Sequence, residues 1–394
     1  MKCVIAGGKK MSKILFVTTR NICTEGSELR IIKNRGQVLK NEFGIETDLY
    51  GFVQERLLKD KNESMGFASE NIISFKNNPI DKEKKYKEFE KKVISALNNI
   101  NYSAVVISGI FPSNIAKKIR KNKKIYTVYD SHGALDKIKE FNRNPFKRIV
   151  YISLKLREKG ILKYSDGAFV ITESMTKYFG KRYTWEGEAF IVPPAIDSKE
   201  YSFEEAKALR KQWREKLSVE DDEVLFIYSG RIEVDEPIAD AHATFTSYIK
   251  EGGKAKFLIM TPDVKKINYG DTMVMSCPQK LVSEVMFAGD IALMLRDNVV
   301  TSKVDFPNKY PEYLKSNMFI VSTPYISEVS KEINDTGTGI IIKNNSMFVG
   351  HLLKAKFSQK KQLWEDFEKR KELVKKYSLE NTLISFVNKI KSIK

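Results

Sequence analysis

LMLRDNVVTSKVDFPNKYPEYLKSNMFIVST, residues 293–323, opens on an apolar run that reads as a strand, crosses a polar loop and a helix, and closes on a second apolar run. Strands buried on both faces of a parallel sheet read as continuous apolar stretches, with helices carrying the chain from one to the next. Ligands of such sheets sit outside the carboxyl ends of the strands, where helix N-termini offer free N–H groups to phosphate oxygens. The polar loop lies at that end. Pro307 suits the start of a helix, Lys309 is placed to neutralise phosphate, and Glu312, one turn on, can accept hydrogen bonds from two ribose hydroxyls. Spacing alone favours the plainer reading of Lys309 and Glu312 as an i,i+3 surface pair.

The same alternation runs outward in both directions. Apolar runs at 223–230, 254–260, 272–276, 290–296, 318–323 and 338–343 form one series, and runs at 13–19, 103–109, 124–130 and 167–172 form an earlier one. Two doubly wound, Rossmann-like parallel sheets in tandem are the simplest arrangement. VPPAIDS at 192–198 and a polar helix over 203–217 separate the two series. The expected division is therefore 1–200, 201–360, and a pair of helices over 361–394 that packs back on the first domain. Trp364, Phe367 and Leu373 mark the first of these helices; Leu383, Phe386, Val387 and Ile390 mark the second, with Ser378 as its cap. The polar stretch 54–92 reads as surface helix and loop.

Composition narrows the function. The chain of 394 residues is long enough for two cores, and 42% hydrophobic with 30% charged residues is a soluble globular balance. No apolar run approaches the ~20 residues that span a bilayer, and the opening MKCVIAGGKK lacks a secretory cleavage pattern, so a cytoplasmic protein is expected. Cys3, Cys23 and Cys277 are scattered, in no CxxC spacing, and suggest neither disulfides nor a zinc site. The net charge of +18 is unevenly spread: residues 1–200 carry 38 Lys and Arg against 23 Asp and Glu, residues 201–350 carry 18 against 22, and the last 44 carry 12 against 5. The first domain and the tail are thus the parts that would meet something anionic. An anionic membrane surface is one such partner. Nucleic acid is not expected, because the basic residues lack interleaved aromatics and no binding motif is present.

PNKYPEYLKSNMFIVST, 307–323, resembles the P-x-K-x-x-E-Y-L-x-x-G-x-P-V-V-x-T segment of bacterial glycosyltransferases of family 4. The resemblance implies the GT-B fold, two Rossmann-like domains around a cleft, and a retaining transfer from a nucleotide sugar in surface polysaccharide synthesis. It implies that Glu312 binds the donor ribose, and it draws Lys309 and Tyr313 into the donor site. Asn317 stands where the family has glycine, which a left-handed conformation would allow. Val304 stands where many relatives carry a second glutamate.

SGR at 229–231 is similar to the family's glycine–arginine motif, with Gly230 admitting a ligand close to backbone and Arg231 forking onto a diphosphate. The family's following lysine is replaced by Glu236 or Pro237, so Lys309 or Lys303 would supply the second cation. DSHG at 130–133 resembles the acceptor-side motif, in which Asp130 accompanies His132 and the histidine orients the sugar or stabilises charge. Gly26 is the nearest match to the family's glycine-rich turn, without its usual paired glycines.

His132, Arg231 and Lys309 are thus the catalytic candidates. The donor would be UDP- or GDP-linked, the acceptor a glycan or lipid-linked hydroxyl, with no other cofactor. No D-x-D follows a strand and no His/Cys cluster occurs, so no catalytic metal is expected. Alternatives are a catalytically weak GT-B protein that partners another glycosyltransferase, which Glu236 suggests, and a nucleotide-sugar epimerase of the same fold. Two basic segments, 115–124 and the amphipathic 144–164, could face lipid phosphates or simply water.

Overall fold

The computed structural model describes residues 13–23, 27–58, 64–120, 125–141, 144–193, 199–232, 237–343, 349–357 and 362–393. The chain divides into two compact units. The first comprises Met1–Lys139, Arg143–Pro193 and Leu379–Lys394, the second Glu140–Asn142 and Pro194–Ser378.

The first unit holds seven strands: β1 Lys13–Thr18, β2 Thr47–Gln54, β3 Ser69–Phe75, β4 Tyr102–Ser108, β5 Tyr126–Asp130, β6 Gly167–Val170 and β7 Glu188–Ile191. They form one parallel sheet in the order β3-β2-β1-β4-β5-β6-β7. The order reverses between β1 and β4, which makes the carboxyl ends of those strands and of neighbouring β5 the natural ligand crevice. Val17, Val105, Val106, Val128 and Ala168 are wholly buried between helices on the two faces, which is why those strands read as continuous apolar runs.

The second unit holds β8 Val224–Ser229, β9 Ala255–Met260, β10 Met273–Met275, β11 Ile291–Met294, β12 Phe319–Ser322 and β13 Gly339–Ile341. Their order, β10-β9-β8-β11-β12-β13, is again parallel and reverses between β8 and β11. The helix Phe203–Lys216 starts with a reciprocal cap between Ser202 and Glu205. It is fastened to this unit by Asp290, which accepts from Arg210 at 2.6 Å, Arg214 at 3.0 Å and the Leu225 N–H at 2.8 Å.

Three differences from the sequence reading have physical causes. The stretch 54–92 contains strand β3 as well as helix Pro79–Asn99. β3 is an edge strand with one partner, so it needs few apolar residues, and Phe75 stacks on Phe52 of β2 at 4.6 Å. β2 escapes an apolar scan because it carries Asp48, buried and accepting from the Tyr102 hydroxyl at 2.7 Å. The stretch 361–394 does not travel together: Phe367–Lys375 stays with the second unit and only Leu379–Ser392 joins the first. Arg370, buried, donates to the carbonyls of Met318 at 2.6 Å and Thr338 at 3.4 Å and so holds the former helix in place. In the latter, Phe386 is fully buried edge-on against Phe169 at 4.9 Å and Phe190 at 5.5 Å, which closes the core beside β6 and β7.

Candidate functional site

At the carboxyl end of β8 the chain turns through Ser229, Gly230 and Arg231. Gly230 has φ 143°, a conformation that side chains rarely adopt. Its N–H donates to the Met260 carbonyl at 2.9 Å, and the Tyr228 hydroxyl donates to the Arg231 carbonyl at 2.8 Å, so the turn is held from both sides. Arg231 itself is exposed.

A helix at Lys309–Lys315 meets this turn. Tyr310, Tyr313 and Leu314 are fully buried, while Lys309 and Glu312, three residues apart, share the half-exposed face. The Ser229 N–H donates to the Tyr313 hydroxyl at 3.0 Å, and Lys309 Nζ stands 4.5 Å over the Tyr228 ring, a cation–π contact. The expected start of this helix needs correction. Pro307 lies before it and contributes only its carbonyl, which accepts from the Tyr310 N–H at 3.0 Å. Pro311 sits in the first turn, where a missing N–H costs nothing.

The helix ends as the sequence reading requires. Asn317 is left-handed, φ 59°, with Met318 N–H bonded to the Tyr313 carbonyl at 3.1 Å and Asn317 N–H to that of Leu314 at 3.0 Å. These two bonds make the reverse turn in which glycine usually stands. The loop before the helix is partly helical, Val300–Val304, with Val304 buried and Lys303 exposed. One cation near the turn is absent from the sequence reading. Lys266 pairs with Asp263 at 3.1 Å and lies 3.4 Å from the Ile232 carbonyl. The Ile232 N–H bond and the Lys266 ammonium hold the Asp263 carboxyl below its usual range, with Arg231 adding to the effect. A lysine pair in TPDVKK just after a strand was the available signal.

In the first unit, β5 ends in Asp130, and Gly133, φ 142°, repeats the backbone device of Gly230. Asp130 is fully buried and receives Arg35 Nη1 at 2.6 Å and His132 Nε2 at 2.9 Å; Ser108, the last residue of β4, lies 3.2 Å from the same nitrogen. Burial alone would raise the Asp130 carboxyl, but the Arg35 guanidinium and the His132 ring overturn that and hold it well below the carboxylate range. Burial depresses His132, against the pull of Asp130, so its ring is neutral at neutral pH. An ionised Asp130 only accepts, which assigns the ring proton to Nε2 and leaves Nδ1 with its lone pair for a hydroxyl.

Sequence reasoning overlooked Arg35. Its signal was positional: Ile32, Arg35, Gly36 and Leu39 lie on the buried stripe of helix Ser27–Asn41, and a charge there demands a buried partner. Gly26 and Glu236 lie outside the described residues. Among the described residues no cluster of three or more His, Cys, Asp or Glu side chains is placed to hold a metal ion, and no helix is long and apolar enough to cross a membrane.

No protein-family model and no curated protein sequence matches the chain. Solved structures do. A sucrose-phosphate synthase from Thermosynechococcus elongatus superposes with a TM-score of 0.69 at 12% identity, covering 97% of this chain and 99% of that one. WaaG, a glycosyltransferase involved in lipopolysaccharide biosynthesis, gives 0.67 at 14% identity over 96% and 99%. Anabaena HepE, in complex with UDP, gives 0.66 at 11% identity over 96% and 100%. The chain has the GT-B fold. The likeness runs nearly end to end in all three, so both Rossmann-like units belong to it.

Proposed function

We propose that this chain is a glycosyltransferase that takes a sugar from a nucleoside-diphosphate donor and passes it, with retention and without a bound metal, to a hydroxyl of a glycan or lipid-linked acceptor in bacterial surface polysaccharide synthesis. The observation that carries the reading is the meeting of the 228–231 turn with the Lys309–Lys315 helix at the carboxyl end of the second sheet, through Ser229 with Tyr313 and Tyr228 with Lys309. Departure of the diphosphate is the demanding step, and fixed cations aimed at its oxygens lower that barrier. Arg231 and Lys309 are those cations, with Lys266 beside them in place of the family's missing lysine. Glu312 accepts the two ribose hydroxyls. On the acceptor side, His132 offers Nδ1 to a sugar hydroxyl while Arg35 and Asp130 fix the ring.

The UDP bound to HepE supports a nucleotide-sugar donor, and a UDP- or GDP-linked one is proposed. A thermal-shift screen against UDP, GDP, ADP and CMP should give a selective rise for one of them, by mass action. Glu312→Ala should raise the donor KM by about 10- to 100-fold, the worth of hydrogen bonds to a charged group. Unchanged donor kinetics would remove Glu312 from the ribose. The weak-enzyme reading rests on Glu236 in the sequence; donor hydrolysis by the parent protein, compared with Glu236→Lys, excludes it.

A further inference from the structure

We propose that the helix Pro145–Tyr164 in the first unit docks on an anionic phospholipid surface, lying in the plane of the interface. This helix has two apolar faces on opposite sides. One is buried: Tyr151, Ile161 and Leu162 pack inward, together with Glu158, whose carboxylate accepts from the hydroxyls of Tyr129 at 3.1 Å and Tyr183 at 2.5 Å. The other is exposed. Phe146 is 74% exposed, Ile149 66% and Leu156 66%, with Ile152 and Val150 at the margins of the same stripe. At 100° per residue these five fall within one arc, about half of the helix circumference, opposite the buried one. Phe111, 42% exposed under Arg157, extends the patch beyond the helix.

The charges around the stripe are of one sign. Lys155, Lys159 and Arg148 flank one margin, Arg157 and Lys163 fall within the arc of the stripe itself, and the helix's sole acid, Glu158, is turned inward. Among the described residues none of Lys147, Arg148, Lys155, Lys159 and Lys163 is engaged in an ion pair. The other basic segment behaves differently: Lys118 is held by Glu90 at 2.6 Å and Arg120 by Asp166. An exposed apolar stripe demands an apolar occupant, and a one-signed cationic margin demands an anionic one. A second copy of this face would bring cations against cations, and nucleic acid would leave the aliphatic side chains in water. A bilayer with anionic headgroups satisfies both demands. With seven charged residues in the helix, spanning is excluded and a surface position follows.

This inference stands apart from the transfer chemistry and is tested without it. The full-length protein is mixed with vesicles of phosphatidylglycerol and phosphatidylcholine, beside vesicles of phosphatidylcholine alone, and partitioning is measured by sedimentation. The expected result is binding to the anionic vesicles that weakens with added salt. It should fall by about a hundredfold in the triple variant Phe146→Ser, Ile149→Ser, Leu156→Ser. Because all three side chains are exposed, the variant should keep the parent's unfolding midpoint. The charge reversal Arg148→Glu, Lys155→Glu, Lys159→Glu should lose the preference for anionic over neutral vesicles. The proposal is overturned by equal affinity for both vesicle types, by undiminished binding of the triple variant, or by a concentration-dependent dimer of the parent that the triple variant abolishes.

Discussion

At the carboxyl end of the first sheet Asp130, Arg35 and His132 bond to one another almost wholly away from water, whereas at that of the second the charged groups stand half in solvent. Both ends use a glycine with φ close to 142° just past a strand. In the first, Asp130 is closed off by Arg35 and His132 and a single imidazole nitrogen is left for outside chemistry. In the second, Arg231, Lys266 and Lys309 gather around one turn with their charges still accessible. A buried network fixes one side chain in one protonation state. An open cationic turn can instead take and release a polyanion, because its charges never lose their water entirely.

The contrast breaks most visibly at Arg35. Arg35→Leu leaves the Asp130 carboxylate buried beside a neutral imidazole and should cost about 3–5 kcal/mol in urea denaturation; a loss below about 1 kcal/mol would show that Asp130 does not depend on the pair. Arg231→Ala, on an exposed turn, should leave stability almost untouched and lower kcat by about 10²- to 10³-fold. A variant that unfolds but retains kcat per folded molecule reverses the assignment of roles.

A third test concerns Glu158, in the first unit. Burial raises its carboxyl from an ordinary 4.5 to about 7, although the hydrogen bonds from Tyr183 and Tyr129 pull it down. The folded state therefore holds a proton that the unfolded chain has given up between those values. Its contribution to stability is fully present below 4.5 and is lost as the pH rises to about 7. Glu158→Gln should remove that slope and gain up to about 3 kcal/mol over the parent at pH 8, read from urea midpoints at acid and alkaline pH. Parallel profiles for the two proteins would refute it. The smallest effect is expected for Tyr313→Phe, which removes the acceptor of the Ser229 N–H and should cost about 1–3 kcal/mol of stability or a few-fold in donor KM.

Strand-rich cores were legible because burial on both faces writes itself into sequence as runs such as SAVVISG and VLFIYS. What stayed hidden was either at an edge, as β3, or carried a buried charge, as β2 with Asp48. The candidate site divided in the same way. Gly230, Arg231, Lys309, Glu312 and Tyr313 lie in contiguous segments whose pattern resembles a known motif. Lys266 reaches the 228–231 turn, and Arg35 the separate DSHG segment of the first unit, from elsewhere in the chain; only the folded structure brings Arg35 onto Asp130, 95 residues away.

The return of the helix Leu379–Ser392 to the first unit has a consequence for how the protein is made. Phe386 supplies a ring that packs edge-on against Phe169 and Phe190, yet it emerges from the ribosome only after the whole second unit has been translated. At synthesis rates of roughly 5–20 residues per second, the nascent first unit waits on the order of ten to forty seconds with an uncovered aromatic groove. The second unit, contiguous over Pro194–Ser378 but for three residues already made, can close first. The half that begins the polypeptide is thereby the last to be finished.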